Sequence, residues 1–264
     1  MFEPNFDSRL ILIYLAVRCQ GDFHKMLMCM RNKDYEIPYE KAKRLYDSLK
    51  CKTITILDYD YPEKLRKTAH SPLVLFYYGD ITLLDKPLLA VVGSRDYNDL
   101  GKESTERIIN DIAKDVVIIS GLARGIDTVA HQTAIDNGGR TIAVLGSGLD
   151  RCYPVENQEL YEEIKKNHLL ISEYPFDTTP DSEHFPMRNR IVVGLADAVY
   201  VPQINEYTSG TMISVTLAAN QNKDVFVAPC PQGSETINNK MINEGAILAD
   251  SGRQILEEEG WLKK

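Results

Sequence analysis

The sequence lacks the long apolar run a membrane span requires. Its best early candidate, residues 10–17, is closed by Arg9 and Arg18, whereas a spanning helix needs about 20 apolar residues. No basic leader or small-residue cleavage site opens the chain, so a cytoplasmic protein with no membrane contact is expected. Cysteines are few: Cys19, Cys29, Cys51, Cys152 and Cys230 are odd in number, scattered and without a C-x-x-C pair. That excludes a disulfide framework and argues against a zinc site. Net positive charge is missing as well. The chain carries 30 Lys and Arg against 38 Asp and Glu, a formal charge of -8. A diffuse grip on a polyanion is therefore excluded, and any nucleic-acid site must be a local basic pocket in a repelling surface.

Sequence signatures of catalysis are equally sparse. No G-x-x-x-x-G-K-[ST] loop, H-E-x-x-H pair or G-x-S-x-G elbow occurs, and Gly146-Ser-Gly148 lacks the third glycine of a dinucleotide fingerprint. No cofactor and no metal is expected. Asp127 and Asp150 close glycine-rich loops, where bracing of the loop is the expected work, and His131 is expected to pack along a helix.

What is present divides near residue 85. Residues 1–52 read as a small helical domain of three short helices, with apolar stripes at Leu10, Ile11, Tyr14 and Leu15, at Phe23, Met26, Leu27 and Met30, and at Ala42, Leu45, Tyr46 and Leu49. Pro38 sits in the first turn of the third. Met26, Met28 and Met30 are expected to fill core. Residues 53–87 form a joining segment with two strand-like runs, 53–57 and 73–78, around a short helix starting at 61. From residue 88 to 264, apolar strands alternate with helical stretches: strands at 88–92, 116–119, 141–145, 169–171, 198–201 and 225–228. This pattern predicts an α/β, Rossmann-like, doubly wound and mostly parallel sheet covered on both faces.

In such a sheet ligands bind beyond the carboxyl ends of the strands. Four of these ends run into Gly/Ser-rich turns that feed helices: Gly93-Ser94-Arg95, Ser120-Gly121-Leu-Ala-Arg124-Gly-Ile-Asp127, Gly146-Ser147-Gly148 and Ser209-Gly210-Thr211. Each turn is expected to offer free backbone N–H groups and a helix dipole to an anion. Tight strand-to-helix turns would explain any one of them alone. Arg95 and Arg124 lie in two of the turns, and His184-Phe185-Pro-Met-Arg188-Asn-Arg190 adds two more arginines beside an aromatic ring. Guanidinium groups match phosphate geometry, and aromatic rings stack on unpaired bases. The alternative use of Arg188 and Arg190 is to neutralise carboxylates such as Glu173 or Glu183.

The ordered set from Gly93 to Thr211, with Thr141-Ile-Ala-Val-Leu-Gly-Ser-Gly-Leu-Asp150, Tyr153-Pro154 and Ser172-Glu-Tyr174 between, closely resembles the bacterial DNA-processing protein A family, DprA or Smf. The resemblance runs from about residue 57 to 256. It implies a non-enzymatic protein of natural transformation that binds and protects incoming single-stranded DNA and loads the RecA recombinase, with single-strand-binding protein as a further partner. It places the DNA pocket on Gly93, Ser94, Arg95, Gly121, Arg124, Phe185 and Arg188, to which the loop reading adds Gly146, Ser147, Arg190, Ser209, Gly210 and Thr211. It also implies a homodimer through residues 242–248, including Ile242 and Leu248. The competing resemblance is to phosphoribohydrolases that cleave nucleoside monophosphates with a G-G-x-G-T-x-x-E loop. Here Met212, Ile213 and Ser214 follow Thr211, so the catalytic carboxylate of that loop is missing.

Overall fold

The computed structural model describes residues 7–32 and 39–262. Pro38, expected in the first turn of the third helix, lies outside the described residues. Three helices come first, α1 (Ser8–Arg18), α2 (Phe23–Arg31) and α3 (Tyr39–Ser48). The first two begin on aspartate caps, Asp7 accepting from the Arg9 amide and Asp22 from the Lys25 amide, each at 2.9 Å. Strand β1 (Lys52–Thr55), helix α4 (Glu63–Arg66) and strand β2 (Val74–Gly79) follow.

The alternating region then unfolds in order: β3 (Leu88–Val91), α5 (Asp99–Ile112), β4 (Val117–Ser120), α6 (Ile126–Asp136), β5 (Thr141–Leu145), α7 (Gln158–Asn167), β6 (Leu169–Ser172), α8 (His184–Leu195), β7 (Ala198–Val201), α9 (Gly210–Asn220) and β8 (Val225–Val227). Helix α10 (Asn238–Asn243), the two-residue strand β9 (Ile247–Leu248) and helix α11 (Gly252–Glu258) close the chain. The nine strands among the described residues form one sheet in the order β1-β2-β6-β5-β4-β3-β7-β8-β9. It is parallel from β6 to β9 and antiparallel only where β1 meets β2 and β2 meets β6. The fold is thus a mixed α/β, mostly parallel, doubly wound sheet, with the two joining strands extending its edge.

The central strands are buried along their whole length, as their continuous apolar runs require. Side chains alternate between the faces. Ala90, Ile119, Val144 and Val199 pack under α8 and α9 with Leu65 of α4. Leu89, Val91, Ile118 and Tyr200 pack on the other face against α5, α6 and α11. Helices α1 and α7 cover the β2, β5 and β6 end, where Ile13 and Leu15 meet Phe76, Leu145 and Leu170 in one core. The methionine run splits: Met26 is buried, Met30 is partly buried against this core, and Met28 is exposed.

Chain order reverses at β3 and β7: β4 continues to one side of β3, and β8 to the other side of β7. That switch leaves a crevice between the carboxyl ends of β3 and β7, the place where doubly wound sheets hold ligands. Among the described residues no helix is long and apolar enough to cross a membrane.

Candidate nucleic-acid interface

A recess of about 720 Å3 opens at this switch point. Its walls are the turn after β3 (Gly93, Ser94, Arg95), the turn after β4 (Gly121, Ala123), the first turns of α8 (Phe185, Arg188, Asn189) and the N-terminus of α9 (Ser209, Gly210, Thr211, Ser214). A smaller lobe continues it toward Arg124, Gly146, Ser147 and Pro154, sharing Arg95, Tyr153, Phe185 and Arg188 with the main recess. The loops are fixed to one another. The Ser94 amide donates to the Gln203 carbonyl at 3.0 Å, joining the β3 and β7 turns, and the Ile126 amide donates to the Ser94 carbonyl at 3.2 Å. Gly93 lies against Ile126 so closely that a Cβ would collide with its side chain.

The anion cradles expected from the glycine-rich turns differ from loop to loop. In the turn after β4 the Asp127 carboxylate accepts from the Gly121 amide at 3.0 Å and the Ala123 amide at 3.3 Å, so those donors are spent on bracing the loop rather than left for a ligand. The Gly148 amide is likewise committed, to the Thr178 carbonyl at 2.8 Å. At α9 the Ser209 hydroxyl caps the Met212 amide, while the Gly210 and Thr211 amides make no hydrogen bond among the described residues, and both residues line the recess. Ser147 is buried, and its hydroxyl donates to the Arg151 carbonyl at 2.9 Å. It forms wall rather than offering a contact.

The four arginines have four different situations. Arg95 is exposed, forms no ion pair among the described residues, and holds its guanidinium carbon 5.9 Å from the Phe185 ring centroid. Arg124 is exposed at the edge of the smaller lobe and paired with Glu156 at 3.1 Å. Arg188 forms the floor and is only 4% exposed. It donates to the Val144 carbonyl at 2.6 Å, to the Gly121 carbonyl, and to the Asn189 Oδ1 at 3.0 Å, tying the ends of β4 and β5 to α8. Gly121 is glycine for this reason: a Cβ there would land on the Arg188 guanidinium. Burial pulls the Arg188 pKa down and pushes that of Asp127 up, and the two opposite charges counter those shifts.

Arg190 corrects the sequence reading. It does not line the recess but is buried behind it, where Nη2 donates to both carboxylate oxygens of Glu173 at 2.7 Å. Burial raises the Glu173 pKa to about 7 despite this partner. The cause of the error is helical geometry. Helix α8 starts at His184, so both arginines stand within it, and residues two apart on a helix do not share a face; Arg190 takes the alternative use, pairing with Glu173.

Phe185 is half-buried in the wall, held against Gly146, where a Cβ would strike its ring. The sequence reading gave no role to the ring stacked on it, Tyr153, with centroids 5.5 Å apart and planes at 28°. The sequence signal is the place of Tyr153 three residues after the Gly146–Asp150 turn, but its partner lies far along the chain. Beneath the floor, His131 is fully buried with Nδ1 2.6 Å from the Thr141 hydroxyl, and burial drives its pKa down to about 3. Ile242 is partly buried and Leu248 is 42% exposed on β9, the last strand of the sheet. Among the described residues no three His, Cys, Asp or Glu side chains are grouped to hold a metal ion.

A doubly wound α/β protein with an arginine-floored recess at its switch point, bounded by an exposed arginine and two stacked rings, belongs to the class of Rossmann-like proteins. The chain is a member of the family described as DNA recombination-mediator protein A, which it matches over residues 52–260, and is a DNA-processing protein. It is 42% identical over 211 residues to the DNA processing protein DprA of Streptococcus pneumoniae, covering 79% of this chain and 74% of that one. Identity to the DprA of Bacillus subtilis is 39% over 229 residues, 83% of this chain and 76% of the relative. The solved S. pneumoniae DprA structure superposes with a TM-score of 0.81 at 35% identity, covering 94% of this chain and 93% of that one. A Helicobacter pylori DprA structure, described for its single-stranded DNA binding mode, gives 0.72 at 30% identity over 80% of this chain and 96% of its own.

Proposed function

We propose that this protein binds single-stranded DNA in the switch-point recess without altering it, protects it, and delivers it to the RecA recombinase in natural transformation in the cytoplasm. The observation that carries the binding step is the free guanidinium of Arg95 beside the Phe185 and Tyr153 rings. A phosphate takes the charge, and an unpaired base takes the π-face. Family membership supports the delivery step, and the binding mode described for the H. pylori relative supports single strands over duplex. A homodimer through Ile242 and Leu248 would bring two recesses onto one strand and add avidity.

Fluorescence anisotropy with a labelled single-stranded oligonucleotide, titrated at several salt concentrations, tests the reading. Tighter binding than to the matching duplex is expected, weakening as salt rises; duplex preference, or indifference to salt, would overturn it. Incubation with nucleoside monophosphates should release no free base, and robust turnover would replace the binding role with an enzymatic one.

A further inference from the structure

We propose that Tyr153 is a second base-contact residue: one unpaired nucleobase of the bound strand stacks on its ring, so that Tyr153 and Phe185 act as a two-ring platform. The inference rests on the single-strand reading above and specifies which part of the strand this end of the recess takes. Tyr153 is unlike the buried tyrosines of the sheet region, and unlike the exposed Tyr97 its ring lies against a second ring. Tyr61 and Tyr200 are buried, and their hydroxyls donate to backbone carbonyls, of Pro72 at 2.7 Å and of Ser104 at 3.2 Å. Tyr161 is buried with its hydroxyl on the Leu149 carbonyl. Tyr153 is 45% exposed, and its hydroxyl has no hydrogen bond among the described residues. Nothing in the core uses it. Its ring is nonetheless held, lying against Phe185 on the wall common to both lobes of the recess.

An exposed aromatic ring costs free energy in water, and a fixed one presents its face at little further entropic cost. A flat, apolar, polarisable ring beside a guanidinium matches a nucleobase attached to a phosphate. Only an unpaired base can offer its face, so the platform also selects against duplex.

The test separates base contact from simple support of Phe185. In the anisotropy titration Tyr153→Ala should weaken single-strand binding roughly ten-fold, and Tyr153→Trp should restore it. An oligonucleotide carrying 5-iodouracil, irradiated in complex with the wild-type protein, should cross-link to the peptide containing Tyr153. Unchanged affinity in Tyr153→Ala while Arg95→Ala loses binding would overturn this inference and leave the single-strand reading standing, as would cross-linking confined to Phe185. A wild-type protein that fails to bind the oligonucleotide would overturn the single-strand reading itself.

Discussion

The floor and the rim of the recess use the same residue types to opposite ends. On the floor, Arg188 and Asp127 are buried and bonded to loop carbonyls and amides, and just behind it Arg190 holds the Glu173 carboxylate through Nη2, while its Nε and Nη1 are buried without a partner among the described residues. At the rim Arg95 and Tyr153 are exposed with no hydrogen bond or ion pair among the described residues, and Arg124 has only an exposed carboxylate. A buried charge is tolerated only when opposite charge or hydrogen-bond partners are built in, and Arg188 and Asp127 have theirs from the fold itself. The rim is where unmet interaction capacity is kept for a ligand. The same arginine-rich segment therefore supplies architecture at one depth and recognition at another.

Substitutions on the two levels should separate stability from binding. The largest effect is expected behind the floor. Arg190→Met strands the Glu173 carboxyl in the interior and should cost about 3–5 kcal/mol of unfolding free energy in a urea titration. Arg190→Met combined with Glu173→Leu should recover most of it, since an apolar pair of similar volume replaces both charges. A double variant no more stable than the single one would show that the ion pair itself holds the structure.

Next comes His131. Its pKa falls from 6.5 to about 3 on folding, so the unfolded chain takes up a proton across that window and the folded chain does not. Its contribution is complete above pH 6.5 and is lost as pH falls toward 3, by up to about 1.4 kcal/mol per pH unit. Glu173, raised from 4.5 to about 7, works in the opposite sense. It favours the folded state as pH falls through 7, reaching its full effect near 4.5. The comparison of wild type with His131→Gln isolates the histidine: on going from pH 7.5 to pH 5 the change in unfolding free energy should be more favourable to the fold in the variant than in the wild type, by about 2 kcal/mol. Equal slopes would mean that His131 keeps its ordinary proton affinity in the fold.

At the rim, Arg95→Ala should leave unfolding unchanged and weaken single-strand binding about ten-fold, the scale of one charge-assisted contact, with a shallower salt dependence. A loss of stability in place of affinity would move Arg95 from the rim to the floor in function.

Much of this division was open to reading in the sequence. The apolar strands and their glycine-rich ends place four loops at one sheet edge, because burial on both faces forces continuous apolar runs. Asp127 as a loop brace follows from its position at the end of its turn. What could not be read were contacts set by depth and by long-range geometry. Glu173 stands in the sequence as an alternative partner for Arg188 or Arg190; that Arg190 takes it is decided by α8, which begins at His184 and turns the two to different sides. Tyr153 acquires its partner only when α8 folds back over the β5 loop. The short elements α10 and β9 carry too few residues for a periodic pattern.

The smallest effect should come from Arg124, and its size sharpens the distinction between a free and a paired rim cation. The Arg124 Nε lies 3.1 Å from Glu156, both side chains more than half exposed. A solvent-exposed pair of this kind contributes about 0–1 kcal/mol, so Arg124→Ala should leave the unfolding midpoint nearly unmoved. For binding, a phosphate that takes Arg124 must displace the carboxylate, and the displaced Glu156 then stands as a like charge near the strand. The net gain from the contact is the difference between the two partners, and it should be no more than about two-fold in affinity. Arg95 has no such competitor. An Arg124→Ala variant that loses as much affinity as Arg95→Ala would mean that the strand holds Glu156 away at no cost. Pairing within the rim would then not separate its arginines, and depth in the recess would be the only property that does.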